Sequence, residues 1–200
     1  MVTKNVDRSH WTDLQIGLSR VQLIFRVPDG YVAPEMPVPP PVRFVDLDRD
    51  IVNGKGGVGV FWRVWSYRGF FGLDVEGRLF MAVAVRAVPL DMRRGLADLD
   101  DLERISRRRL DEEYRHKTRF AITVPSEYRR TIINGRPWLS YSLGGWKDAT
   151  EYATIVRTDC YVVAGFDFIR NVPGKNSTWR KDAQSVADEI VASFELREFK

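Results

Sequence analysis

The last third of the chain restricts the possible folds more than any other stretch. Glu127–Leu143 reads as a β-hairpin, because Asn134-Gly135 supplies the two left-handed residues of a tight hairpin turn. Glu151–Thr158 and Cys160–Arg170 read as two further strands. In the second of these, Cys160, Val162, Ala164, Phe166 and Phe168 share one uniformly apolar face. Thr178–Phe194 reads as an amphipathic helix: Trp179, Ala183, Val186, Ile190 and Phe194 recur at helical spacing and trace one apolar stripe. An antiparallel meander closed by one packed helix follows, and none of its residues forms a catalytic motif.

Upstream, Leu14–Val27 alternates as one or two strands, with Ile16, Leu18, Val21, Leu23, Phe25 and Val27 apolar. The parity slips near Ser19-Arg20, which predicts a bend or bulge there. Ala33–Val42 holds Pro34, Pro37, Pro39, Pro40 and Pro41, which pre-set an extended course and read as a surface connection between strands. Gly59–Arg68 is an aromatic strand with Phe61, Arg63, Trp65 and Tyr67 on one face and Trp62 and Val64 on the other. Either helices cover both faces of its sheet, or one face offers rings to a partner. Leu79–Leu90 is nearly continuous in apolar residues and reads as a central strand buried on both faces. Asp98–His116 reads as a helix, acidic early and basic late.

These elements predict an α+β fold: an antiparallel β-sheet flanked by helices, over residues 1–200 as a single domain with a Pro-rich surface connection at about 33–42. No secretory apolar run follows the first basic residues, and no stretch of about 18 apolar residues could span a membrane. A cytoplasmic location is the expectation. With Cys160 as the only cysteine, neither an intrachain disulfide nor a cysteine-based zinc site can form. The net charge of +4 permits an acidic partner without requiring one.

Four motifs resolve into plain readings. Lys55-Gly56-Gly57-Val58-Gly59 opens like a variant phosphate loop, but Val60 and Phe61 stand where lysine and a hydroxyl residue are needed. It reads as a hairpin loop. Asp46, Asp48 and Asp50 open like a calcium loop, with Ile51 and Gly57 at the positions that need glycine and glutamate. Arg107, Arg108 and Arg109 fan around a helix. Asp100–Arg104, Glu103–Arg107 and Asp111–Arg115 at i, i+4 predict a salt-laced solvent face. Asn176-Ser177-Thr178 reads as a helix start.

No nucleophile elbow is present, and two histidines cannot assemble a multi-histidine metal site. No catalytic residue, cofactor or metal is expected. The remaining candidates are rings and an arginine on strands and in their loops: Arg63, Trp65, Tyr67, Trp138, Tyr141 and Trp146. Aromatics beside arginine are enriched at binding hot spots, and the competing reading is core packing. Pro137, just inside its strand, suits a sheet edge that a partner could use.

The tail Asp159-Cys160-Tyr161-Val162-Val163-Ala164-Gly165-Phe166, with Val186–Phe194 behind it, resembles the end of PsbP-like α/β/α sandwich proteins. The opening Gly17–Gly30, a strand ending in Val27-Pro28-Asp29-Gly30, is similar to that family's early strand. The superfamily includes a lumenal photosystem II subunit, a yeast Ran-binding protein and bacterial proteins associated with type VI secretion. The resemblance implies non-enzymatic protein binding, as an adaptor, chaperone or immunity partner of a secreted bacterial effector, and carries no catalytic residues. Two other functions stay open: nucleic-acid binding by the aromatic and arginine strands, and hydrolysis by paired carboxylates. The spread of charge along the chain weakens the first, and no acid stands in a recognisable frame for the second.

Overall fold

The computed structural model describes residues 6–30, 41–51, 56–68, 74–92, 95–114, 122–145, 148–171 and 178–198. The fold is mixed α+β with mostly antiparallel sheets. β1 (Trp11–Leu18) and β2 (Val21–Pro28) form a hairpin in full register from Leu18↔Val21 to Trp11↔Pro28. The parity slip at Ser19-Arg20 is its two-residue turn, with Ser19 at φ 53°. The turn shifts the inward set from even to odd positions, so Ile16, Leu18, Val21, Leu23, Phe25 and Val27 all face the core.

β3 (Phe44–Val45) joins β1 in parallel, and a short helix α1 (Leu47–Asp50) follows. β4 (Gly57–Arg68) and β5 (Val75–Ala87) begin the larger sheet, and α2 (Leu99–Tyr114) lies on it. After α2 come β6 (Ile122–Thr123), β7 (Arg129–Ile133), β8 (Arg136–Gly145), β9 (Ala149–Arg157) and β10 (Cys160–Arg170). α3 (Thr178–Ala192) and β11 (Glu195–Glu198) end the described chain.

The larger sheet runs β4-β5-β10-β9-β8-β6, with β7 also paired to β8. The smaller runs β11-β2-β1-β3. A long central strand, β5, pairs with β10 over its whole length, from Cys160↔Ala87 to Arg170↔Gly77. The β7–β8 turn is the expected Asn-Gly hairpin, with Asn134 at φ 47° and Gly135 at φ 77°. Asn134 Nδ2 also donates to the carbonyls of Ala192 and Phe194, at 3.1 and 2.9 Å, so the turn caps the end of α3.

The main core fills the space between the larger sheet on one side and the smaller sheet with α3 on the other. The stripe Trp179, Ala183, Val186, Ile190 and Phe194 meets the Cys160, Val162, Ala164, Phe166 and Phe168 face there. A second core lies under α2, where Leu102, Ile105 and Leu110 pack on Leu139, Tyr141, Leu143, Tyr161 and Val163. Arg8 pins the first described residues onto α3 through Asp182 and Glu189, each at 2.5 Å.

Two expectations change. The sequence pattern placed β5 under cover on both faces, but its burial alternates. Leu79, Met81, Val83 and Val85 are enclosed, whereas Arg78, Phe80, Ala82, Ala84 and Arg86 are half-buried. Apolar alanine hides this alternation from a hydropathy reading. Pro137 does not mark an edge either, since β8 lies between β7 and β9. The Pro-rich connection falls outside the described residues except at Pro41 and Val42, where the Val42 amide donates to Val60 at 3.0 Å.

Candidate functional site

β4 carries its odd-numbered side chains into the main core because the β1–β2 hairpin packs against that face. Trp65 and Tyr67 are fully buried. Trp65 Nε1 donates to the Pro28 carbonyl at 3.1 Å, and Arg63 Nη1 reaches the same oxygen at 3.3 Å. Both side chains therefore lock the end of β2 onto the larger sheet. Burial lowers the pKa of the Arg63 guanidinium, and the nearby Asp29 carboxylate works against that. Tyr67 packs on Trp179 with ring centroids 5.6 Å apart, and Trp138 stacks on Phe194 at 5.3 Å. Tyr141 is buried beneath α2. As placed, Trp65, Tyr67, Trp138 and Tyr141 are core residues that a docking partner does not reach. This corrects their assignment to a binding face. Trp146 lies outside the described residues.

The other face of β4 and β5 is where rings approach solvent. α2 lies across β8 and β9 and reaches only the near part of β10, at Tyr161 and Val163. Beyond it, among the described residues, no helix packs on this face of β4 or β5, α3 lying against β5 from the other side. Trp62 stacks on Phe80 there, with centroids 6.2 Å apart and planes at 30°. The register sets Trp62 beside Ala82 and Ala82 beside Gly165, so small residues make a low floor next to the two rings. Arg78 and Arg86 stand at the two ends of the β5 stripe, and Asp167 lies opposite Phe80 on β10. Val64, directly opposite Phe80, and Ser66, opposite Arg78, are buried, so the open part of this face is limited to the Trp62 end. The half-buried rings, small floor and arginine ends form a platform, and none of its β5 members was among the candidates from sequence. The signal was the large-and-small alternation Phe80, Ala82, Ala84 opposite Leu79, Met81, Val83.

Under α2 lies a polar cluster that local sequence could not show. Arg109 Nη2 donates to the Tyr141 hydroxyl at 2.8 Å and pairs with the Glu151 carboxylate. The Tyr141 hydroxyl in turn donates to Glu151 at 2.7 Å. Burial pushes the Tyr141 phenol well above its ordinary pKa, and the Glu151 charge adds to this. Burial alone would depress the Arg109 guanidinium. The charges of Glu151 and Glu113, with Tyr141 and Tyr161, outweigh that and raise its pKa. With its carboxylate doubly engaged, Glu151 is a structural acid. The salt-laced reading of this helix holds for Arg107, on Glu103 at 2.8 Å, and Arg108, on Glu112 at 2.6 Å. Arg109 departs from it by turning inward. Asp100 pairs with Arg130, and Arg104 takes Asp101 instead of Asp100.

The remaining motifs have ordinary partners. Asp46 caps α1 by accepting from the amides of Asp48 and Arg49, Asp48 pairs with Arg157 at 2.6 Å, and Asp50 pairs with Arg49 at 2.8 Å. Among the described residues no cluster of three or more His, Cys, Asp or Glu could hold a metal ion. Gly57–Gly59 of the glycine-rich motif belong to strand β4, and Lys55 lies outside the described residues. Cys160 is fully buried, and burial pushes its thiol up to about 12. A thiol-reactive dye at pH 8 is therefore expected to label the native protein at least about a hundredfold more slowly than the urea-unfolded chain. Comparable rates would place Cys160 at an open site.

No described helix is long and apolar enough to cross a membrane. No family model matches the chain, and no curated protein does. Among solved structures the chain is similar to cyanobacterial PsbP (CyanoP) from Synechocystis sp. PCC 6803, in solution. The identity is 14% and the TM-score 0.44, over 90% of this chain and 94% of that one. That likeness is of chain course alone, and no role is drawn from it.

Proposed function

We propose that the protein is a non-enzymatic binding module that captures another protein on the β4–β5 half of its larger sheet. The observation that carries this reading is the stacked Trp62–Phe80 pair, half-buried beside Ala82 and Gly165 and beyond the reach of α2. Rings over a small-residue floor give a partner apolar area to cover, and Arg86 offers a cation to an acidic group on it. The spread of charge along the chain, with no basic patch, favours a protein over a nucleic acid. A role as adaptor, chaperone or immunity partner of a secreted bacterial effector is a narrower form of the same reading, supported by the family resemblance of the two chain ends.

The test is a pull-down with the tagged chain, with and without nuclease, repeated with Trp62→Ala and Arg86→Glu. One stoichiometric protein that survives nuclease is expected. Both substitutions should weaken its affinity at least tenfold, the scale of a truncated hot-spot side chain, while melting temperatures move little. Equal capture by all three chains would sink the platform reading. Capture lost with nuclease would put nucleic acid in the partner's place.

A further inference from the structure

On the opposite sheet face, at the far side of α3, the inward residues change character. Along β8 the sequence of that face is Trp138, Ser140, Ser142, and along β9 it includes Thr150 and Tyr152. The register places Ser140 opposite Tyr152 and Ser142 opposite Thr150, a two-by-two block of hydroxyl side chains on rigid strands. α3 packs on β2, β5 and β10, which leaves this block beside the helix and not beneath it. The block lines a cleft of about 410 Å³.

Two walls complete the cleft. Gln184 of α3 forms one. Its amide is held by Arg180, which donates to it at 2.9 Å, and by its own donation to Asp188 at 2.8 Å. The segment from Pro125 to Arg129 forms the other, where the sheet edge is interrupted. β6 pairs with β8 at Gly144 and Gly145, and β7 pairs with it from Ser140 backward. Among the described residues, Tyr141–Leu143 therefore have no strand partner on that side.

The lining is rich in hydrogen-bonding groups, and the Asp188 carboxylate held by Gln184 bears on the Tyr152 hydroxyl. The hydroxyls of Ser140, Ser142, Thr150 and Tyr152 have no hydrogen-bond partner among the described residues. The charged lining residues Glu127 and Arg129 pair with each other at 3.4 Å. An anion would find no unpaired cation here. A peptide strand would find only a three-residue gap and would leave the hydroxyls unused. The complementary ligand carries many hydroxyls, no net charge and an apolar C–H face for the Tyr152 ring, which Phe166 steadies at 6.0 Å in a T-shaped contact.

We infer that this cleft is a binding site for a neutral saccharide, independent of the platform on the other face. The test is a titration of isotope-labelled full chain with maltose, cellobiose and diacetylchitobiose, read by amide shifts, with glycerol as the polyol control. Saturable shifts at Ser126, Ser142, Thr150, Tyr152 and Gln184 with one of the three are expected. Thr150→Val and Tyr152→Phe each remove one hydroxyl at nearly constant shape, and each should weaken binding about fivefold. Ser142→Ala, at an exposed position, is the variant least able to disturb folding and should act in the same direction. Shifts no larger than those from glycerol, unchanged affinity in all three variants, or saturation by inorganic phosphate at the same amides would each overturn the inference.

Discussion

Gly77→Ala is expected to destabilise the protein by about 3 kcal/mol, the upper range for overpacking a filled core. At this size that lowers the melting temperature by roughly 6–12 °C. A Cβ at residue 77 would stand 2.3 Å from Cε2 and 2.4 Å from Cζ2 of Trp179. Neither side can give way cheaply. Gly77 is held in the sheet on both sides, opposite Tyr67 of β4 and Arg170 of β10. The Trp179 ring is buried against Tyr67. The cause is a clash with one ring, so a double-mutant cycle isolates it. Trp179→Leu costs stability alone by opening a cavity, yet adding Gly77→Ala to it should cost at least about 1 kcal/mol less than in the wild type. Urea unfolding of the four proteins measures this. Additive losses would show that the ring does not rest on Gly77.

Arg109→Leu should cost about 3–5 kcal/mol, because it strands the buried Glu151 carboxylate with only the Tyr141 hydroxyl as donor. Taking two charges out of water is expensive, and the pair's mutual attraction returns that cost only while both partners are present. The double substitution Arg109→Leu/Glu151→Met removes both charges together. It should regain most of the lost stability, at the cost of leaving the Tyr141 hydroxyl without its Arg109 and Glu151 partners. Chemical denaturation distinguishes the outcomes. A single-mutant cost below about 1 kcal/mol, or a double mutant as unstable as the sum of the singles, would mean that the pair is solvated.

Much of the architecture was legible because its signals are local. The Asn134-Gly135 turn, the alternating face of Cys160–Phe168 and the spacing of Trp179 to Phe194 each depend on residues a few positions apart. Even the parity slip at Ser19-Arg20 was detectable, although two residues can make a bulge or a hairpin turn, and only pairing decides between them. Residues chosen as a binding face fared differently. Trp65 and Trp138 have the composition of hot-spot residues, but that composition is equally suited to a core. Their fate rested on whether the β1–β2 hairpin and the end of α3 cover them, a matter of contacts more than thirty residues away in sequence.

The same limit explains Arg109. The sequence placed it in the salt-laced run of the helix, and in the structure it pairs with Glu113, one turn on, at 3.3 Å. Glu151, forty-two positions away, turns the same side chain inward. Periodicity and turn chemistry settled which segments of this chain become strands and helices, because those choices are made within a few residues. Tertiary structure alone decided the fate of strands with large residues on both faces, such as β4, and where α2 and α3 stop across the sheet, and hence that Trp62, Phe80 and the Ser142–Thr150 block lie beyond their cover. Burial is a property of what comes to lie on top, and in this fold that is supplied by distant parts of the chain.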